Sequence, residues 1–96
     1  MMLGKVIGNV WATKKEEGME NLKLLIVQPV DALGREGGQC IIAADRIGAG
    51  QGEHVIVSRG TPARLLFAGK NTPIDAVVVG IVDSFEVATD AAAKEP

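Results

Sequence analysis

The chain has 96 residues and a formal net charge of −2, so it holds one domain and offers nothing to a polyphosphate backbone. Its single cysteine, Cys40, excludes an intramolecular disulfide. Hydrophobic residues make up 47% of it and aromatics 3%, an aliphatic load that is high for a chain burying only about 60–65% of its unfolded surface.

Strand patterns dominate in chain order. Residues 3–13 read as the first strand and 21–28 as the second, which Pro29 ends. Between them Lys14-Lys15 is balanced by Glu16-Glu17 in a solvated loop. A glycine-rich turn over 31–38 leads to a third strand at 39–47 and a fourth at 53–59. Thr61-Pro62 then opens a short helix that Gly69 stops, with Thr61 as N-cap and Pro62 at the first helical position. Residues 76–87, rich in β-branched side chains, form the fifth strand. Residues 88–96 are an unanchored tail, which leaves 1–87 as the domain. Five short strands and one helix in so short a chain predict a small, mainly β, OB-like barrel.

The strands carry apolar residues on both faces. Val78, Gly80 and Val82 alternate with Val77, Val79 and Ile81, and Val6 and Val10 alternate with Ile7 and Trp11. Leu22, Leu24 and Ile26 alternate likewise with Leu25 and Val27. One barrel has one inside, so the second face argues for burial against a neighbouring subunit.

Gly48-Ala49-Gly50-Gln51-Gly52-Glu53 is the motif that needs a purpose. A glycine loop that cradles phosphate needs a helix N-terminus directly after it, to supply converging N–H groups and a positive dipole end. Here a strand precedes the glycines and another follows, so close packing of backbones is the better reading.

Other chemistry finds little support. His54, the only histidine, sits four residues from Ser58 in one strand, ~13 Å apart at ~3.3 Å per residue, beyond the reach of a catalytic pair. Ser84 could approach it only through the fold. One Cys and one His do not make a zinc set, and Cys40 reads as a small buried hydrophobe. Asp75 and Asp83 have no spacing that favours a pair. Single-strand-binding barrels stack bases on aromatics in a basic groove, and this chain has no Tyr, two Phe and one Trp. An OB-like module for single-stranded nucleic acid or a small ligand is therefore the alternative, and a hydrolase using His54 a further rival. Met1 leads straight into strand-like sequence, so no secretory leader is expected, and no apolar window reaches the length of a membrane span.

Several ordered pieces are more specific. They are Gly4-Lys5-Val6-Ile7-Gly8 with Ala12-Thr13, then Lys23-Leu24-Leu25-Ile26-Val27, and Asp45-Arg46-Ile47 running into the glycine loop to Glu53. Ala63-Arg64 and Pro73-Ile74-Asp75-Ala76, leading to Val79-Gly80-Ile81-Val82-Asp83, complete the set. On these pieces the chain resembles, over residues 1–87, the EutN/CcmL family of microcompartment vertex proteins.

The resemblance implies an OB-like barrel assembling as a homopentamer, with no enzymatic activity and no cofactor or metal. It implies a place in the cytoplasm, in the shell of a bacterial microcompartment or carboxysome, beside hexameric and trimeric shell proteins. Hexagonal sheets alone cannot close, and fivefold units supply the curvature. Cyclic rings use heterologous interfaces, which suits strands with two apolar faces. By the same resemblance Gly48, Ala49, Gly50, Gln51 and Gly52 lie near the fivefold axis, either closing it or framing a narrow pore. Closure is favoured because five crowded backbones leave little room. Asp45, Arg46 and Glu53 flank the loop as charges that would bias any passage. Thr61-Pro62 departs from the family's more usual Ser and small residue, though either caps a helix, and the tail is unmatched.

Overall fold

The structure, a computed structural model, describes residues 1–11, 22–60, 63, 74–84 and 87. They form β1 (Met2–Val10), β2 (Lys23–Pro29), β3 (Ile41–Asp45), β4 (His54–Arg59) and β5 (Ala76–Val82). The strands close into a barrel in the order β1-β2-β3-β5-β4, with β4 returning to β1. All pairings are antiparallel except that of β3 with β5. The fold is thus the mainly β five-strand barrel that the strand count predicts. The helix expected at 61–69 lies outside the described residues apart from Ala63, which is fully buried. The tail beyond 87 lies outside them too.

Closure depends on β1 serving two neighbours. Its first half pairs with β4 (Met2 opposite Val57, Lys5 opposite His54), and Gly4 to Val10 pair with β2. The register with β2 slips between Val6 and Gly8, leaving Ile7 bulged out and 41% exposed. A bulge bends and twists a strand, which a barrel of this size needs. Before the bulge, at Gly4, β1 also comes close to β2. A Cβ on Gly4 would overlap the Val27 side chain.

Strands prove shorter than their apolar runs. β1 stops before Trp11, which is 97% exposed, and β5 stops at Val82. β3 keeps only the centre of the run at 39–47, because Arg46 and Ile47 turn into the glycine loop.

Two apolar clusters explain the two-faced strands. The barrel interior holds Val6, Leu25, Val27, Ala43, Val55, Val57, Ala76 and Val78, with Ala49 entering from the glycine loop. Leu24, Ala44 and Val77 point the other way and pack under Ala63 and Ile74 of the β4–β5 connection. Part of the second apolar face is therefore covered by the chain itself, which corrects its assignment to a neighbouring subunit. What stays open on the outside is Ile7, Ile42, Ile47, Val79 and Ile81, each between 37% and 50% exposed.

The β2–β3 turn sits at the barrel end away from the glycine loop, since it joins the end of β2 to the start of β3. Asp31 organises it: Oδ1 accepts the Leu33 and Arg35 amides at 2.9 and 3.0 Å, and Oδ2 accepts Arg35 Nε at 2.8 Å. Gln28 Nε2 donates to the Pro29, Gly37 and Gly38 carbonyls at 3.1–3.4 Å. Cys40, expected as a buried hydrophobe, is exposed instead, and its thiol meets Gln28 Oε1 at 3.0 Å. The turn needs β3 to start at Ile41, which strands Cys40 outside the sheet.

The Arg35 amide bond, foremost, holds the Asp31 carboxyl below its ordinary range, against an opposing effect of desolvation. A depressed carboxylate stabilises the turn above its unfolded pKa, and that contribution fades as pH falls through the depressed value. An NMR titration is therefore expected to show Asp31 ionising below the free-aspartate range. The Leu33 and Arg35 amides should gain exchange only in that acid window. An ordinary titration would contradict the assignment.

Candidate functional site

The glycine loop crosses one end of the barrel, from the end of β3 to the start of β4. Hydrogen bonds pin it at both ends and at Gly50. Asp45 Oδ1 accepts the Ile47 and Gly48 amides at 3.0 and 3.2 Å, the local turn that short acidic side chains favour. Ala49 is fully buried and plugs the barrel end. Glu53 folds back, its Oε1 accepting the Gly50 amide at 2.6 Å while its own amide donates to the Gly50 carbonyl at 3.1 Å. The Gly52 amide reaches the Val6 carbonyl at 2.8 Å, and Val6 N–H reaches the Glu53 carbonyl at 2.9 Å. This last pair extends the β1–β4 ladder and ties the loop to the middle of β1.

The three glycines are not equivalent. Gly48 and Gly52 both have φ of 89°, a left-handed conformation that side chains rarely adopt. The chain's own turns require them. Gly50 has no positive φ, and a Cβ there would meet nothing nearer than Glu53 Oε1 at 3.4 Å, an ordinary contact. Nothing within the described residues demands glycine at position 50.

Gln51 and Arg46 are exposed, as are Gly48, Gly52 and Glu53, while Gly50 is half-buried. Asp45 differs from the expectation of a flanking charge: its side chain is fully buried and spends one oxygen on the turn. Its Oδ2 receives no hydrogen bond among the described residues and lies 3.8 Å from Lys23 Nζ, directly across the β2–β3 ladder. The Lys23 ammonium also donates to the Ala49 carbonyl at 3.3 Å. Lys23, on β2, is the partner of the loop that sequence reading missed. The only signal is its register opposite Asp45, which requires knowing how β2 and β3 pair.

The ladder sets Val82 opposite His54, so Ser84 follows two residues after the histidine's partner, but the other candidate pairs stay apart. Ser58 is buried near the far end of β4 from His54. Asp75 and Asp83 flank the seven-residue β5, an extended span of ~20 Å or more, and both are exposed.

A family model described as "Ethanolamine utilisation protein EutN/carboxysome" matches residues 1–83. The chain belongs to the EutN/CcmL family. The carboxysome shell vertex protein CcmL of Gloeobacter violaceus is 41% identical over 91% of this chain and 87% of its own length. The microcompartment shell vertex protein GrpN of Rhodospirillum rubrum is 45% identical over 90% of this chain and 97% of its own. Among solved structures, that GrpN, described as a pentameric microcompartment shell protein, superposes with a TM-score of 0.82 at 45% identity, covering 91% of this chain and 99% of the other. The Gloeobacter violaceus CcmL structure gives a TM-score of 0.84 at 43% identity, covering 92% and 91% of the two chains. The EutN/CcmL match spans β1 to β5, so the glycine loop lies inside the shared fold.

Proposed function

We infer that the chain is a structural shell protein of a bacterial microcompartment, a vertex subunit working as a homopentamer. The carrying observation is the near full-length match to relatives named as shell vertex proteins, one of them described as pentameric. The apolar residues left open on the barrel agree with it. Ile47 and Val79 border a shallow recess of about 290 Å³ that Arg46, Val77 and Val78 also line, a site suited to an apolar side chain of an adjacent copy. The chain performs no catalysis in this reading and meets hexameric and trimeric shell proteins around the vertex.

The glycine loop faces the fivefold axis in this proposal. Gly50 is compatible with it: inside its own chain the position has room for a side chain, so a neighbouring backbone at the axis would give the glycine a purpose. Five copies of this loop crowded at one axis would leave little room, which favours a seal over a pore. An oligonucleotide-binding role has no support. Trp11 is the one aromatic among the described residues, so the barrel offers no stacking platform there.

Native mass spectrometry tests the reading. The expected species has a mass near five times the 10.0 kDa of one chain. A monomer that persists at micromolar concentration sinks it.

A further inference from the structure

We propose that Lys23 is a positioning residue for the glycine loop, holding it in its ring-closing shape by bridging buried Asp45 and the Ala49 carbonyl. This rests on the reading of the loop as the centre of the ring. The Asp45 carboxylate is divided between two tasks. Oδ1 shapes the turn through the Ile47 and Gly48 amides, whereas Oδ2 is buried without a hydrogen-bond donor among the described residues. A buried acceptor left without a partner is costly, and a buried charge more so. Lys23 Nζ, at 3.8 Å, answers that charge and at the same time anchors the loop at Ala49, four residues further on.

The geometry makes one ammonium the link between the floor of the loop and its plug. Asp45 fixes where the loop leaves β3, and Ala49 fixes how deeply it seats in the barrel. Without the ammonium, the carboxylate has reason to turn toward water, which releases the Ile47 and Gly48 amides together. Ala49 would then lose its only described polar tether to β2. The consequence falls on the loop and not on the barrel, because Lys23 is exposed and is the first residue of β2, outside the barrel's buried core. The Lys23 side chain is half exposed, so screening moderates the charge effect and the tether to Ala49 carries part of it.

The test uses the assembled protein, with Lys23→Met, Lys23→Arg, Asp45→Asn and the double variant Lys23→Met with Asp45→Asn. Methionine keeps the apolar stem and removes the charge. Hydrogen exchange is read at the Ile47 and Gly48 amides, with β4–β5 amides as an internal reference. Lys23→Met is expected to speed exchange at the loop by about tenfold or more, without changing the reference. Lys23→Arg should restore protection. In the Asp45→Asn background, where no buried charge needs an answer, the added effect of Lys23→Met should shrink markedly.

Intact pentamers of Lys23→Met with wild-type loop exchange overturn the proposal, as does an effect of equal size in the Asp45→Asn background. If Lys23→Met fails to fold, folding of the double variant supports the charge link, and failure of both overturns it. A wild-type chain that is not pentameric but whose loop exchange still depends on residue 23 would fail the ring reading and leave the clamp standing. Pentamers indifferent to residue 23 would do the reverse.

Discussion

Gly50→Val is expected to leave the folded subunit almost untouched and to abolish the closed ring. Within the chain an added Cβ at position 50 meets only the flexible end of Glu53, at 3.4 Å, and the backbone there needs no positive φ. Subunit stability should therefore change by roughly 0.5 kcal/mol or less, as at an ordinary surface site. In a ring the same side chain is repeated at each copy. Overpacking costs about 1–3 kcal/mol per site, so five copies near one axis add roughly 5–15 kcal/mol to the assembly. Gly48→Val supplies the contrast. At φ of 89° a β-branched residue is strained inside the subunit itself. It should lower thermal stability even in dissociated chains. Native mass spectrometry reads assembly, and circular dichroism with thermal melts reads the subunit. Normal Gly50→Val rings would remove the crowding argument, whatever the subunit's stability.

That contrast shows what the sequence could and could not say about the loop. The alternation of three glycines between two strands was enough to reject a phosphate cradle, because no helix follows. It could not separate Gly48 and Gly52, which serve the chain's own turns, from Gly50, which does not. The difference lies in backbone angles, and a glycine leaves no side chain whose pattern betrays them. The charges behaved similarly. Asp45, Arg46 and Glu53 look alike as flanking charges, yet Asp45 is buried and Glu53 folds onto Gly50. Local hydrogen bonds to backbone amides decide this, and they depend on where the turn begins.

The barrel was more legible, since β-branched runs bounded by glycine and proline mark strands whatever their partners. The strand faces were half legible. Alternation puts Leu24 and Val77 each on an apolar face of its strand, but their cover is the chain's own β4–β5 connection. Periodicity reports that a face is buried and is silent about what buries it. Cys40 misled for a related reason: its apolar neighbours Ile41 and Ile42 suggested a strand, but the tight turn organised by Asp31 and Gln28 delays β3 by two residues.

Gly4→Ala is expected to be the most damaging small substitution in the barrel, and Val27→Ala to relieve it in part. A Cβ on Gly4 would overlap Val27 Cγ1 and lie 3.2 Å from the Gln28 carbonyl oxygen. The first obstacle is a side chain in the fully buried core, and the second is backbone that cannot swing away. Close packing leaves little slack for either, so one methyl should cost about 1–3 kcal/mol. Val27→Ala alone opens a cavity and should also destabilise, by roughly 1–3 kcal/mol. Together the two changes exchange a methyl on one strand for space on its neighbour. The double variant should therefore be less destabilised than the sum of the single ones, by on the order of 0.5–3 kcal/mol for residues in contact. The recovery is partial because the Gln28 carbonyl remains. Gly4 sits where β1 passes from β2 to β4, so the strain acts on barrel closure directly. Because assembly stabilises folded subunits by mass action, the melts belong at matched concentration, in conditions where the rings are dissociated. Additive losses would show that the Gly4 contact with Val27 does not set how closely β1 approaches β2. A Gly4→Ala barrel as stable as wild type would show that β1 can move outward without cost.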